Sequence, residues 1–250
     1  MKRKEEVVQN NIKECSKYFY MKVSSDYALW TDPASKGGGE RISYPVPTAQ
    51  ALKGIVDACY FKPTIVNVVD SVKVVNPIMY KSFGYRALYR DMSADLNHVT
   101  ALSHIEYLIK FHFEWNYNRP DLMHDRNIKK HESIMERSLK KGGRRDIFLG
   151  VREFIGDVEY IDEYQYTTCK TAYDGSSIDF GYMFHHFDYP NNNQKKFKSI
   201  FAKVKMESGI IKFDLDGVKY IENELSSYTF RQNKTIVSVD EELKNYRKGD

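Results

Sequence analysis

Apolar residues recur at helical spacing in two stretches of this chain, and each stretch lies between segments patterned as strands. Behind Thr48, an N-cap candidate, Leu52, Ile55, Val56 and Cys59 form one apolar stripe, which Pro63 brings to a stop. Within 125–141, Ile128, Met135 and Leu139 form a second, followed by Gly142 and Gly143. A helix with one apolar stripe must lay it against something, and the neighbouring segments are β-rich. "YFYMKVS" (18–24) precedes the first helix and "TIVNVVDSVKVV" (64–75) follows it, broken by Asn76–Pro77 before a further strand or hairpin arm at 78–90. "TALSHIEYLIKFHFEWN" (100–116) precedes the second helix, and "RDIFLGVREFIGDVEYI" (145–161) follows it as a strand. The order is close to βαββαβ. It predicts an α+β fold whose residues 17–158 make a ferredoxin-like domain, the arrangement that also underlies RNA-recognition (RRM-like) modules.

From 159 onward the texture changes. Short runs such as "YMFHHFDY", "FKSIFAKVKM" and "GIIKFDL" are separated by Asn, Gly and Asp, which predicts a small β-rich C-terminal domain over 159–250 with a polar tail. Residues 1–16 form a charged N-terminal extension, peripheral to the fold. A chain of 250 residues with 14% aromatic content is long and apolar enough to bury a core, which excludes disorder. Cys15, Cys59 and Cys169 are odd in number, widely spaced and free of any C-x-x-C pair. They indicate neither a disulfide framework nor a structural zinc site, and they suit a reducing cytoplasm. No apolar run has the length to span a membrane, and "MKRKEEVVQNN" lacks the apolar core of a secretion signal. The expectation is a cytoplasmic protein with no membrane partner.

A net charge of +4 says little by itself, but its distribution does. Between Asp125 and Arg145 stand eight Lys or Arg (126, 129, 130, 137, 140, 141, 144, 145) against three acids (125, 132, 136), a basic patch suited to an anionic partner. On the helical wheel His131 falls at the edge of the apolar stripe and Lys130 on its flank. A half-buried imidazole at that edge, with its tip reaching the surface, suits acid–base work near neutral pH, and a neighbouring lysine suits a phosphate. Adjacent Lys and His are also common on amphipathic helices, so a packing role stands beside the catalytic one. Lys140 and Lys141 complement a helix C-terminus, whereas Arg144 and Arg145 lie past the cap, where guanidinium forks meet phosphates or only solvent. "SKGGGER" lacks the spacing of a nucleotide-triphosphate loop, so no nucleotide cofactor is expected. His185 and His186 adjoin in a strand-like run, where alternation would send them to opposite faces and argue against joint metal ligation. Asp121 and Asp125 are candidate cation ligands, but nothing pairs them with other carboxylates, so no metal site is expected. Tyr18, Phe19, Tyr20, Phe111, Phe113 and Trp115 offer stacking surfaces, although most aromatic side chains must be core.

Three segments also carry a resemblance. "DYALWTDPASKGGGERISYPVPTAQALKGIVDACYFKPT" (26–64), "FHFEWNYNRPDLMHDRNIKKHESIMERSLKKGGRRDIFLGVREFIG" (111–156) and "GYMFHHFDYP" (181–190) resemble, in order, the fifth family of CRISPR-associated proteins in its d (Dvulg) form, from type I-C systems. The resemblance implies a ferredoxin-like N-terminal domain with a β-sheet extension. It also implies an endoribonuclease that cuts the precursor of CRISPR RNA without metal or other cofactor, by attack of a 2′-hydroxyl. Such a protein keeps the 5′ handle of its product as a subunit of a type I-C surveillance complex, whose other subunits are then partners. A member that only caps the handle is the alternative. The family's catalytic trio falls here on Tyr60, Lys130 and His131. Lys129, Arg126, Lys140, Lys141, Arg144 and Arg145 are the RNA-binding candidates beside it. The resemblance does not extend to residues 1–16 and is loose after about residue 195.

Overall fold

A computed structural model of the chain describes residues 14–36, 40–88, 90–190 and 196–227, together with positions 239, 240 and 243. Most of the charged extension at 1–16, the three glycines of "SKGGGER" and most of the polar tail lie outside the described residues. In chain order the elements are β1 (Phe19–Ala28), α1 (Pro33–Lys36), β2 (Arg41–Ile42), α2 (Ala49–Cys59), β3 (Ile65–Val74), β4 (Met79–Leu88) and β5 (Ala94–Trp115). A 3-10 turn (Pro120–Asp125) leads into α3 (Ile128–Lys140), β6 (Ile147–Phe148), β7 (Ile155–Ile161) and α4 (Glu163–Thr168). β8 (Ser177–Asp188), β9 (Lys196–Glu207), β10 (Ile210–Lys212) and β11 (Tyr220–Ser227) complete the described chain.

The chain is mixed α/β with a mostly antiparallel sheet, and β5 is its spine. β5 pairs with β1 through Leu102–Phe111, with β3 through Tyr107–Trp115 and with β4 through Ala94–Ser103. Strand order runs β11-β9-β10-β3-β5-β1-β7-β6, with β2 and β4 also on β5 and β8 on β9. Strand alternation decides what each face carries. Phe19, Met21 and Val23 of β1 and Ile109, Phe111 and Phe113 of β5 are buried in one cluster with Leu52, Ile55 and Val56 of α2 and Met135 and Leu139 of α3. Both long helices therefore lie on the same face of the sheet. The opposite face carries a smaller cluster of Tyr20, Leu108, Ile161 and Tyr166, the last supplied by α4. Each fully buried apolar side chain contributes about 1.5–3 kcal/mol, which outweighs the weak intrinsic helicity of segments this short.

The caps follow the expected chemistry. Thr48 Oγ1 accepts from the Ala51 N–H at 3.2 Å, and Asn127 Oδ1 accepts from the Lys130 N–H at 3.1 Å. At the other end of α3, Gly142 and Gly143 take φ of 79° and 101°, and their N–H groups donate to Leu139 and Ser138 carbonyls. Segment 145–161, expected as one strand, is two: the chain turns through Gly150 at φ 92° between β6 and β7. Between β1 and α2 the chain also forms α1 and the short β2. Among the described residues, no helix is long and apolar enough to cross a membrane.

Candidate active site

The C-terminal end of α2 and the first turn of α3 meet over the Phe113–Trp115 end of β5. α2 stops at Cys59, and Tyr60 leaves it in extended backbone (φ −156°) while its N–H still donates to the Val56 carbonyl. That change of direction turns the phenol inward. Tyr60 is 1% exposed, so its hydroxyl is not at the rim, where the helical stripe would put it. Its Oη lies 2.7 Å from Nδ1 of His131.

His131 is fully buried, not half-buried as wheel geometry predicts. The reason lies in β5, whose Phe113 and Trp115 rings stand edge-on to the imidazole with centroids 6.2 and 5.7 Å away and close over its exposed flank. Both ring nitrogens are nevertheless satisfied. Nε2 lies 2.9 Å from the Asp125 carbonyl oxygen, which can only accept, so in the neutral ring Nε2 carries the proton. Nδ1 is then the acceptor, and the Tyr60 hydroxyl donates to it. The partners thus fix both the tautomer and the direction of the Tyr60–His131 hydrogen bond.

Lys130 is exposed, and its ammonium is paired with the Asp125 carboxylate. The second Asp125 oxygen accepts from the buried Thr64 hydroxyl at 2.9 Å and stands 3.6 Å from His131 Nε2. The Lys130 hydrogen bond holds the Asp125 carboxyl below the usual carboxylate range; burial opposes this, and Thr64 and the charge of Lys130 add to it. Burial raises Tyr60, the positive charge of Arg144 draws it down, and Asp125 adds to the rise. Arg144 acts at close range: its guanidinium carbon sits 4.7 Å from the centre of the Tyr60 ring, on the solvent side.

Sequence reasoning reached Lys130 and His131 by spacing and Tyr60 only through the resemblance, and the fold brings all three to one corner. It weighed Asp125 only as a cation ligand beside Asp121, and Asp121 instead pairs with Arg119 at 2.7 Å. Thr64 was missed altogether, because no spacing rule joins a strand-leading threonine to a residue 61 positions on. Among the remaining basic candidates, Lys129, Lys141 and Arg145 face solvent. Lys140 pairs with Glu136 at 2.7 Å. Arg126 is turned inward, donating to the Asn116 carbonyl at 3.1 Å and lying 5.0 Å from the Tyr117 ring centre. Phe19, Phe111 and Phe113 are core, whereas Tyr18 is exposed with the Lys110 ammonium 3.9 Å from its ring centre.

One expectation fails elsewhere. His185 and His186 are not on opposite faces: their Nδ1 atoms are 2.7 Å apart. The pairing of β8 with β9 skips His185 between Phe184 and His186, so a bulge suspends the alternation there. Burial lowers both rings, and His185 Nε2 is held by the Phe213 carbonyl at 3.0 Å.

Comparison with known proteins gives a consistent picture. The pattern of the Cas5d form of the family described as CRISPR-associated protein (Cas_Cas5) matches residues 19–214. A protein of Mannheimia succiniciproducens named CRISPR pre-crRNA endoribonuclease Cas5d is 28% identical over 214 residues, covering 76% of this chain and 91% of that protein. The crystal structure of a functionally uncharacterized protein from Streptococcus mutans shares 48% identity at a TM-score of 0.72, covering 84% of this chain and 99% of the other. A crystal structure described as that of a CRISPR-associated protein shares 46% identity at a TM-score of 0.70, covering 84% and 98%.

Proposed function

The chain belongs to the Cas5d family of CRISPR-associated proteins, and we propose that it is the endoribonuclease that cuts CRISPR repeat RNA, acting without metal through Tyr60, His131 and Lys130. The relative's name supplies the reaction class, and one observation carries the assignment to this corner: the 2.7 Å hydrogen bond from Tyr60 Oη to His131 Nδ1. The strand order β7-β1-β5-β3, with two helices on one face, supports a ferredoxin-like core over 17–158 and a β-rich part over 159–250. Retention of the 5′ handle as a subunit of a type I-C complex belongs to the same proposal.

In this mechanism the RNA 2′-hydroxyl attacks the adjacent phosphorus, so the 2′-oxygen–phosphorus bond forms and the bond to the 5′ oxygen breaks. The 2′ proton passes to Tyr60 Oη while the Tyr60 proton passes to His131 Nδ1, so the buried histidine acts through the tyrosine. The departing 5′ oxygen takes a proton from solvent, and His131 returns one to it. The products are a 2′,3′-cyclic phosphate and a 5′-hydroxyl. Lys130, released from Asp125, neutralises the charge gained at the phosphate. Arg144 covers the Tyr60 ring from the solvent side, so a phosphate that engages this guanidinium also uncovers the phenol. Tyr60 and His131 take the 2′ proton, solvent protonates the departing 5′ oxygen and Lys130 meets the phosphate charge, so the reading needs no cation.

The test is cleavage of the cognate repeat RNA in EDTA by the full chain. Cutting is expected, and a single 2′-deoxy substitution at the cut site should abolish it. His131→Ala should remove cleavage and largely spare affinity, while Arg144→Ala with Arg145→Ala should weaken binding and reduce the slope of log affinity on log salt by about 1.4. Undiminished cutting by His131→Ala would remove the site from this corner. A handle-binding subunit that does not cut is the second reading, favoured by how completely Tyr60 and His131 are buried; intact binding with no cleavage would establish it.

A further inference from the structure

We infer that Asp125 is a positioning residue for this site, holding His131 through its backbone carbonyl and its carboxylate at once while giving the Lys130 ammonium its resting partner. The inference rests on the endoribonuclease reading and adds to it a residue that neither the spacing nor the catalytic trio contains.

Asp125 closes the 3-10 turn two residues ahead of Asn127, the N-cap of α3. From there its main chain and side chain reach the same imidazole. The carbonyl takes the Nε2 proton at 2.9 Å and so leaves Nδ1 for Tyr60. The carboxylate is 3.6 Å from the same Nε2, close enough to stabilise the imidazolium that forms when Tyr60 passes its proton on. A negative group behind the distal nitrogen of a histidine base strengthens that base in any proton relay. The carboxylate is itself fixed by Thr64, which lies in the corner between α2 and β3, a few residues beyond Tyr60. One side chain therefore ties the Tyr60 side of the pair to the His131 side.

Among the described residues, the charged and titratable groups turned to the pair are few. Tyr60 comes from the end of α2, Lys130 from α3, Asp125 from the 3-10 turn and Arg144 from beyond α3. β5 presents only the uncharged rings of Phe113 and Trp115. Asp125 is the single negative charge among them, so its removal has a definite sign. With the carboxylate gone, the imidazolium that forms when Tyr60 passes its proton on loses the negative group 3.6 Å from its Nε2. The rising acid limb of the pH–rate profile should then move to lower pH, and the plateau should fall.

Single-turnover cleavage of the repeat RNA across pH 5–9, with RNA affinity measured in parallel, tests this on the full chain. Asp125→Asn keeps the carbonyl, the side-chain size and an acceptor for Thr64. It should lower the plateau about tenfold or more and move the acid limb to lower pH, with affinity changed less than about threefold. Asp125→Glu should restore part of both, and Thr64→Val should move the limb the same way by less. If Asp125→Asn scales the rate without moving the limb, or leaves rate and limb as they were while His131→Ala is inactive, Asp125 is only structural and the inference fails. If His131→Ala and Tyr60→Phe both cut at full rate, the underlying reading fails instead.

Discussion

His112 and His131 show how one residue type takes opposite parts within a single strand-and-helix layer. His131 lies on the helix side of the sheet, held between Tyr60 and the Asp125 carbonyl and enclosed by Phe113 and Trp115. His112 projects from the other face of β5, where Asp70 Oδ2 lies 2.9 Å from Nδ1 and Glu114 Oε1 lies 3.8 Å from Nε2. Burial works against a charge on His112, but the hydrogen bond and charge of Asp70, aided by Glu114, outweigh it and raise the ring above its ordinary value. A group whose folded value is raised contributes stability below its unfolded pKa and loses it as pH climbs through the folded one. His112→Gln should therefore cost most stability below about pH 6.5 and progressively less toward pH 9. Urea denaturation of both proteins at pH 5.5, 7 and 9 measures this, and a deficit that grows with pH would contradict the pairing with Asp70.

Elements were legible where period and caps agreed. α2 and α3 were readable because Thr48, the apolar stripes, and Gly142 with Gly143 all mark the same boundaries. The corner that carries the site was not legible in the same way. Helical phase placed Tyr60 and His131 at stripe edges, and only β5, packed beneath, decides that both are sealed. Alternation misled at His185–His186 because a bulge is a property of two paired strands, and one strand's pattern does not contain it. Likewise "RDIFLGVREFIGDVEYI" reads as one strand until Gly150 is placed, at φ 92°, against Leu29. A Cβ on Gly150 would stand 1.9 Å from the Leu29 carbonyl oxygen, beside the hydrogen bond from the Leu29 N–H to the Leu149 carbonyl. Gly150→Ala is accordingly expected to cost more than about 2 kcal/mol. Gly54, exposed in the middle of α2 with nothing within 4 Å of an added Cβ, gives the opposite sign: Gly54→Ala should stabilise by about 0.5–1 kcal/mol. Chemical denaturation of the two variants side by side checks the contrast. A Gly150→Ala protein as stable as the parent would mean that the β6–β7 turn is not held as described.

At the scale of the whole molecule the question is whether residues beyond 158 form a separate unit, as their change of texture predicted. The sheet is continuous across that point. β10 pairs with Ser71–Lys73 of β3, and the Phe213 N–H donates to the Asp70 carbonyl at 2.9 Å. Met183, Val204, Met206, Ile211 and Phe213 are buried in the same cluster as Trp30, Leu52, Val56 and Phe111. At about 1.5–3 kcal/mol for each buried side chain, those five represent about 7–15 kcal/mol, an upper bound because the unfolded chain is not fully extended. That sum is comparable to the entire stability of an ordinary domain, about 5–15 kcal/mol. Neither part can then lose the other and remain folded, and urea should unfold the chain in one transition. The two tryptophans, Trp30 and Trp115, both lie before residue 158, so their fluorescence follows the N-terminal part alone, whereas far-UV circular dichroism follows all the strands. The two signals are expected to share one midpoint, and a fragment ending at residue 161 should be insoluble or unfolded. Separate midpoints, with the fluorescence transition unmoved in that fragment, would establish residues 159–250 as an independent domain despite the shared core.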